Sequence, residues 1–502
     1  MMNRRELIAG APALALARAQ DRKPNLLFLI ADDHAGYVLG AQGNRRAITP
    51  NLDRLAAEGT RFARHHCNSP VCTPSRQSIF TGQLPHSAGV TVLRTPLDES
   101  KRTLAKKFNE KGYATAVFGK MHFNRPGTPG LHGFQTAWTE DVVQKKWAEA
   151  VGTVPKFDSI QTKPVWRPFK DPARIWLNAE KLPFPREYAQ MKSTWTVQQA
   201  CQFLQEHKDS PFALWVSLQE PHSPFDFPVE DRAKFNPAAF PVPDVGPEDG
   251  GQIPLIFRDL SPAEKQGIIA AYYTSVNYLD RNVGVVLDRL KILNLDRDTL
   301  VIYMADHGYC LGQHGRFEKH CCYDPALQVP LIMRWPGRIA KTVVQDFTES
   351  VDVAPTITDL VGLDPFTVAH GQSLRGYLQG QRPARPRQSI FSEYLENEEA
   401  CIRTQEWKFV HCSGRRRRTD GYETDQPTPG RTVRLFDLKK DPGEFHNIAK
   451  SQPAVTQRLS EELLARFRSS HPESPQEPAN LKTADAIEWY LRPRDAEATP
   501  NA

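Results

Sequence analysis

The sequence predicts an α/β protein with a large, doubly wound, mostly parallel sheet and helices on both faces. A smaller C-terminal α+β subdomain with a short antiparallel sheet follows it. Two observations predict the large sheet. Short apolar runs, typical of strands covered on both faces, alternate along the chain with segments of helical periodicity. A third observation, a Pro- and Arg-rich stretch at 381–388, marks the boundary of the subdomain.

Each element follows from its local pattern. Five apolar runs predict the strands of the large sheet: 26–31, 114–119, 212–218, 300–305 and 331–335. Helical spacing occupies three further segments: 51–65, 193–206 and 262–293. Thr49 and Pro50 precede the first of these helices and suit a cap and a first turn. Beyond the boundary, short segments separated by turn residues predict four antiparallel strands: 389–394, 401–404, 407–410 and 433–438.

The chain divides into four parts. We expect a signal peptide at 1–19 and a large domain at 22–380. The subdomain, with one amphipathic helix at 459–467, occupies 388–470, and a C-terminal arm or loose tail occupies 471–502. Arg4 and Arg5 precede a modest apolar run, and Ala17-Arg18-Ala19 suits cleavage before Gln20. The twin arginine indicates export of a folded protein to the periplasm or the cell exterior. An apolar N-terminus without a targeting role is the alternative.

Composition limits the classes of function. The 502 residues carry a net charge of +6, which is too mild to indicate nucleic acid binding and is compatible with anionic substrates. Apart from the N-terminal segment, no apolar run approaches the roughly 18 residues that a membrane span requires. The eight cysteines lack zinc-site spacing. An exported chain would allow one or two disulfides, whose pairing the sequence does not reveal.

Acidic residues directly follow two of the predicted strands. Asp32 and Asp33 come after the first strand, and Asp306, with His307 beside it, comes after the fourth. Ligands of open α/β sheets bind at the carboxyl ends of strands, and adjacent carboxylates repel each other unless a cation or a proton separates them. Each group alone suits a turn or a helix cap, but together they predict a divalent metal site. Histidine is a softer ligand than a carboxylate, so Ca²⁺, Mg²⁺ and Mn²⁺ stay open.

Lysines and histidines follow the strand ends as well. Lys120 and His122 come after the second predicted strand, His222 comes after the third, and Lys319 lies in the loop beyond Asp306. A solvated lysine or a loop histidine is the ordinary explanation for each residue alone. Together with a divalent metal, these groups suit an oxyanion such as a phosphate or a sulfate ester, whose charge shifts onto a leaving oxygen.

Cys72 lies in the segment Cys72-Thr73-Pro74-Ser75-Arg76, just before a predicted helix start. A buried structural thiol is the alternative explanation for it. With the acidic and cationic residues, this segment resembles the type I, formylglycine-dependent sulfatases of the alkaline phosphatase superfamily. The resemblance covers roughly residues 22–470. Further motifs carry it: Thr81-Gly82, Gly119-Lys120-Met121-His122, Pro221-His222, Asp306-His307-Gly308, and the segments 311–315, 329–332 and 435–447.

The resemblance implies an alkaline phosphatase-like fold and a modified nucleophile. A maturation enzyme would convert Cys72 to 3-oxoalanine, or formylglycine, whose hydrate would attack a sulfate monoester. The resemblance implies Ca²⁺, with Mg²⁺ or Mn²⁺ as alternatives, and the metal would be held by Asp32, Asp33, Cys72, Asp306 and His307. Many members of the family carry Asn where this chain has His307.

The resemblance also implies roles for the cationic residues. A sulfate monoester is anionic and repels nucleophiles, so its charge must be neutralised as it redistributes. Lys120 and Lys319 would bind sulfate oxygens, and Arg76 would orient the aldehyde hydrate. His122 would support that hydrate, and His222 would protonate the leaving alcohol.

The substrate is less well defined. The segments 119–123 and 131–134 are similar to choline sulfatases, but related forms occur in sugar sulfatases, and we expect a sulfated saccharide. The segment 139–187 is predicted to lie near the pocket mouth. The arginine run at 415–418 suits either a sulfated glycan or a solvated loop. Two alternatives to a sulfatase are a phosphonate or phosphodiester hydrolase of the same superfamily, and a protein that binds sulfated glycans without catalysis.

Overall fold

A computed structural model describes residues 23–153, 157, 159–164, 167–168, 170–415, 421–424 and 430–495. Within these residues, twelve strands form two sheets. The large sheet contains the first eight: β1 (Asn25–Asp32), β2 (Thr60–His66), β3 (Ala114–Gly119), β4 (Thr136–Trp138), β5 (Phe212–Pro221), β6 (Thr299–Ala305), β7 (Leu331–Arg334) and β8 (Thr342–Glu349). The small sheet contains the other four: β9 (Ser389–Tyr394), β10 (Glu399–Thr404), β11 (Trp407–Cys412) and β12 (Thr432–Asp437).

Helices connect and cover the strands. In chain order they are α1 (Pro50–Glu58), α2 (Cys72–Thr81), α3 (Pro85–Ala88), α4 (Leu104–Glu110), α5 (Glu140–Val151), α6 (Ala173–Trp176), α7 (Lys192–Glu206), α8 (Leu255–Arg258), α9 (Pro262–Ile292), α10 (Asp324–Leu327), α11 (Val353–Val361), α12 (Arg375–Leu378), α13 (Pro453–Ser470) and α14 (Thr483–Tyr490). None of the described helices is both long enough and apolar enough to cross a membrane.

The large sheet is the predicted doubly wound α/β sheet, with strand order β4-β3-β5-β1-β6-β7-β2-β8. Successive side chains of a strand point to opposite faces. Leu27 and Leu29 of β1 pack with residues of α7 and α9 on one face, whereas Phe28 and Ile30 pack with residues of α4 and α11 on the other. Because both faces are covered, β1 is buried along its whole length, as its continuous apolar run predicts.

Two details of the large sheet differ from the sequence prediction. The helix predicted at 51–65 ends at Glu58, and β2 begins at Thr60 and pairs with β7 and β8. Gly59 lies between the two elements. A side chain is excluded at this position, because a Cβ atom there would collide with the carbonyl of Met333 on β7. The strand predicted at 331–335 is present as β7, but it runs antiparallel to β6 and β2.

The small sheet is antiparallel throughout, in the order β12-β11-β10-β9. The helix predicted at 459–467 lies within α13, whose buried side packs on this sheet. Beyond α13 the chain folds back, and the Tyr490 ring of α14 stacks on Phe467 with 5.4 Å between centroids. Asp495 then accepts hydrogen bonds from Thr91 and Thr95 of the large domain. The arm between 471 and 495 therefore wraps onto the protein.

Some predicted features lie outside the described residues. These are the signal peptide at 1–19, residues 416–418 of the arginine run and the end of the C-terminal arm at 496–502. All eight cysteines are free thiols, and the Sγ atoms of Cys310 and Cys321 lie 3.8 Å apart. The disulfides that export would allow stay a prediction.

Candidate active site

Four adjacent strands of the large sheet, β3, β5, β1 and β6, deliver polar residues to one edge. The residues at their carboxyl ends include Asp32, Asp33, Lys120, His222, Asp306 and His307. The three aspartates and His307 have no exposed surface. The structure thus brings together at the carboxyl edge the side chains that the sequence places after separate strands.

Cys72 and Arg76 approach this edge from α2. Cys72 is the first residue of the helix, and Arg76 lies four residues later, so both project from the same face. Pro74 is compatible with this position because the first turn of a helix needs no backbone N–H donor there. Arg76 donates through Nε to Asp306 over 2.8 Å and through Nη1 to Ser217 Oγ over 2.8 Å. The guanidinium therefore joins two strand ends beneath the cysteine.

Cys72 is at the centre of the charged groups. Its Sγ lies 3.1 Å from His307 Nε2, 3.3 Å from Lys319 Nζ and 3.5 Å from Asp32 Oδ1. Burial and the Asp32 carboxylate oppose ionisation, but Lys319 and the other cations outweigh them and lower the pKa of the thiol. The sulfur marks the place that an oxygen of a modified residue 72 would take.

The two lysines bind the adjacent aspartates. Lys120 forms an ion pair with Asp32, and Lys319 Nζ lies 2.8 Å from Asp33 Oδ1. Burial opposes protonation of Lys319, yet the Asp33 carboxylate keeps its pKa well above the ordinary value. Gly119, at the end of β3, turns the chain toward Asp32 with a φ of +108°, and a Cβ atom there would collide with the Ser217 carbonyl. Glycine is thus needed to place Lys120.

The carboxylates fit a divalent cation. One ligand atom each from Asp32, Cys72, Asp306 and His307 lies within 4.8 Å of the others. Asp33 Oδ2 is buried and has no hydrogen-bond partner among the described residues. Burial, together with the Asp32 carboxylate, raises the pKa of Asp33 to about 7 despite the neighbouring Lys319. Without a metal, this edge therefore favours protons, which a divalent cation would replace.

The surrounding negative charge also favours the protonated form of His307. Burial lowers its basicity, but the Asp306 carboxylate and its neighbours outweigh this and raise the pKa of His307 to about 9. Bound to a metal, the imidazole would instead be neutral. The donor set of carboxylates, an imidazole and residue 72 is compatible with a hard or intermediate divalent ion.

The two other predicted histidines differ in their surroundings. His222 donates through Nδ1 to the Ser223 carbonyl over 2.7 Å, and one of its ring nitrogens lies within 4.8 Å of ligand atoms of Asp32, Asp33 and Cys72. Burial and the two lysines lower the pKa of His222 well below its ordinary value, so it is neutral before substrate binds. No hydrogen bond joins the His122 ring to Cys72, and its Nδ1 is buried without a partner among the described residues. Burial and Lys120 lower the pKa of His122 to about 3.

Sequence reasoning missed two side chains at this site. Ser217 accepts a hydrogen bond from Arg76 and donates one to the Lys120 carbonyl. A signal for it exists, since Ser217 is the one polar residue of the apolar run at 212–218. Lys192, the first residue of α7, lines a cavity beside His222. No sequence signal marks it, because only the tertiary fold brings α7 to the end of β5.

Comparisons with known proteins agree with this geometry. A family model described as sulfatase matches residues 24–363, more than half of the chain. The chain belongs to the sulfatase family. A second model, described as N-sulphoglucosamine sulphohydrolase, C-terminal, matches residues 312–469 of this sulfatase. The predicted family and enzyme class are confirmed, and the protein is a sulfuric ester hydrolase. The family implies a metal and a formylglycine, for which the structure offers a candidate site.

This sulfatase is similar to relatives with different substrates in their names. A choline-sulfatase of Rhizobium meliloti is 27% identical and covers 93% of this chain and 91% of its own. A Delta 4,5-hexuronate-2-O-sulfatase of Bacteroides thetaiotaomicron is also 27% identical, covering 89% of this chain and 88% of its own. The structure of a phosphonate monoester hydrolase of Agrobacterium radiobacter superposes with a TM-score of 0.75 at 24% identity, covering 91% of this chain and 97% of the other. That last likeness shows the fold.

Proposed function

We propose that this sulfatase hydrolyses a sulfate monoester of a saccharide, with formylglycine made from Cys72 as its nucleophile and a divalent cation as its cofactor. The observation that carries the proposal is the position of Cys72 Sγ, within 3.5 Å of Asp32, His307 and Lys319. A soft thiolate suits a carboxylate-rich metal site poorly, whereas an oxygen on the same carbon suits it well. The hexuronate sulfatase among its relatives supports a saccharide substrate.

The metal would be held by Asp32, Asp33, Asp306, His307 and the modified residue 72. When bound, it would supply a Lewis acid that neutralises developing charge on oxygen. We propose Ca²⁺, because three carboxylates of the set offer hard oxygen ligands. His307 also suits Mg²⁺ or Mn²⁺ sites, so metal analysis of the purified protein is part of the test.

The chain's own residues would bind and orient the sulfate. Lys120 and Lys319 carry fixed positive charges on either side of Cys72 and would bind the non-bridging oxygens of the ester. Arg76, held by Asp306 and Ser217, would fix the orientation of residue 72. His222 is neutral in the free protein, and the negative charge of a bound sulfate ester would raise its affinity for the proton that the leaving alcohol needs.

We also propose that residues 1–19 direct export through a twin-arginine route. Cys72 would then be modified by a cytoplasmic maturation enzyme before the folded protein leaves. A mature N-terminus at Gln20 in protein recovered from outside the cytoplasm would support this route. An intact N-terminus in cytoplasmic protein would contradict it.

The proposed function is tested in two measurements. Peptide mass spectrometry around residue 72 should find the mass of 3-oxoalanine in place of cysteine. Steady-state kinetics should then give a higher kcat/KM for sulfated saccharides than for choline sulfate or for phosphate and phosphonate esters. An unmodified, fully active cysteine would overturn the nucleophile, and preference for choline sulfate or for a phosphorus ester would overturn the substrate class.

A further inference from the structure

A cavity of about 320 Å³ lies next to the candidate active site. His222 forms part of its wall, and a ligand atom of His222 lies within 4.8 Å of ligand atoms of Cys72, Asp32 and Asp33. A sulfate held at Cys72 would therefore place its leaving alcohol in this cavity. The volume is at the small end of ligand-binding cavities, which suits one saccharide unit.

Lys192 brings a positive charge to the wall of this cavity. Its Nζ donates to Gln219 Oε1 over 2.8 Å and to Gln144 Oε1 over 3.4 Å. Both partners are neutral amides. Among the described residues, no carboxylate lies within ion-pair distance of Lys192. Burial lowers its pKa, and Glu220 and Asp226 oppose this only from a greater distance.

Two carboxylates, Asp226 and Glu220, also line the cavity, and both are already engaged by other groups. Asp226 forms an ion pair with Lys163. Glu220 accepts a hydrogen bond from the Ser193 hydroxyl. An ammonium group in a partly buried cavity without a direct ion pair is costly, and an anionic group of a ligand would lower that cost.

Part of the cavity wall is aromatic. Trp147 and Phe184 both line it, with 6.5 Å between their ring centroids. The Trp147 indole donates to the Gln190 carbonyl over 2.9 Å, which fixes its orientation. The Arg186 guanidinium lies 5.1 Å from the Trp147 ring. A cavity wall that combines aromatic rings with a cation matches a sugar ring that carries an anionic substituent.

We propose that Lys192 is a specificity-determining residue that binds an anionic substituent, a carboxylate or a second sulfate, on the leaving saccharide. The proposal rests on the saccharide sulfatase function proposed above. It also implies selection against choline sulfate, whose leaving group is a cation that Lys192 would repel.

The test compares Lys192→Met, which removes the charge but keeps an apolar stem, with Lys192→Arg, which keeps the charge. The substrates are hexuronates and neutral hexoses sulfated on the same carbon, a disulfated hexose, and nitrophenyl sulfate, whose leaving group carries no carboxylate or second sulfate. We expect Lys192→Met to lower kcat/KM for the acidic or the disulfated saccharide by roughly 10–100-fold, mostly through KM. Turnover of nitrophenyl sulfate should change by less than about threefold, and Lys192→Arg should retain most of the preference.

The acidic substrate whose kcat/KM falls more in Lys192→Met identifies the bound substituent as a carboxylate or as a sulfate. An equal loss on nitrophenyl sulfate would overturn the proposal, because Lys192 would then act on the transferred sulfate or on the fold. Unchanged kinetics on every substrate would overturn it as well. As a control for the fold, both variants should unfold thermally with the same midpoint temperature as the wild-type protein.

The proposed function and this inference fail in different ways. Wild-type protein that cleaves no saccharide sulfate contradicts the proposed function. The inference still has its own measurement, which is inhibition of nitrophenyl sulfate hydrolysis by glucuronate with glucose as the neutral control. Stronger inhibition by glucuronate that disappears in Lys192→Met supports the inference, and equal inhibition by the two sugars overturns it.

Discussion

Two clusters of buried charge in this molecule have similar composition and different arrangements. The catalytic cluster at the edge of the large sheet comprises Asp32, Asp33, Asp306, Arg76, Lys120 and Lys319. The intersheet cluster joins α10 to the small sheet and comprises Asp324, Arg403, Lys408 and Glu444. In the intersheet cluster, Lys408 Nζ lies 2.8 Å from Asp324 and 2.7 Å from Glu444, and Arg403 lies 3.2 Å from Asp324.

Both clusters pair their carboxylates with cations, but only the catalytic cluster gathers three carboxylates around a thiol. Although burial opposes it, Lys408 and Arg403 hold the pKa of Asp324 well below its ordinary value. Burial and Asp324 raise the pKa of Glu444, as burial and Asp32 raise the pKa of Asp33 to about 7. Buried charge and raised pKa values alone therefore do not indicate a functional site. The convergence of carboxylate and histidine ligand atoms on one thiol does.

Asp33→Asn should show the largest effect and should affect activity rather than folding. We expect kcat/KM to fall by roughly 10³-fold or more, because the variant loses a metal ligand and a partner of Lys319. The free energy of unfolding of the metal-free protein should change by less than about 1 kcal/mol, since loss of the Lys319 pair is offset by relief of repulsion from Asp32. Sulfatase kinetics and denaturant unfolding in a chelator measure the two quantities. Strong destabilisation with normal activity would remove the distinction between the clusters.

Lys408→Met should show the converse. Removing the ammonium leaves Asp324 and Glu444 facing each other in a buried place, which should lower the free energy of unfolding by about 3–4 kcal/mol. The kcat per folded molecule should stay within about threefold of wild type, because Lys408 contacts none of the groups around Cys72. Denaturant unfolding with active-site titration measures both. A large fall in kcat of folded protein would show that the two clusters are coupled.

The stability gained on binding a metal should also distinguish the two clusters, with a smaller effect than the two substitutions above. After treatment with a chelator, Ca²⁺ at about 100 times its Kd should restore about 2.7 kcal/mol of stability to wild-type protein. Lys408→Met should gain the same increment, whereas Asp33→Asn should gain much less. Calorimetric unfolding with and without Ca²⁺ measures these increments. Equal gains in all three proteins would place the cation away from Asp33.

The elements that sequence predicts best are those with a continuous pattern. The run at 26–31 is apolar at every position, so its strand and its buried state followed without tertiary information. The helix predicted at 51–65 was too long, because the signal for its end is a single Gly59 whose role depends on Met333, far along the chain. Local periodicity cannot detect such a contact.

The candidate site divides in the same way. Asp32, Asp306 and Lys120 could be predicted because each directly follows a recognisable strand and belongs to a specific motif. Lys192 could not, since its importance arises only where α7, α5 and β5 enclose a cavity. Residues of the candidate site that belong to sequence motifs could thus be predicted, whereas a residue such as Lys192, which we propose contacts the leaving group, depends on packing between elements.

Ser217→Ala should show the smallest effect. It tests whether a single hydroxyl group positions the cations of the catalytic cluster. The Ser217 hydroxyl links the Arg76 guanidinium to the Lys120 carbonyl, so its loss should loosen both residues and lower kcat/KM by roughly tenfold. Stability should change by about 1 kcal/mol or less. Ser392→Ala is the matched control, a buried serine of the small sheet whose Oγ has no hydrogen-bond partner among the described residues. If both variants lose activity equally, Ser217 acts only through packing; if only Ser217→Ala does, the hydroxyl positions the catalytic cations.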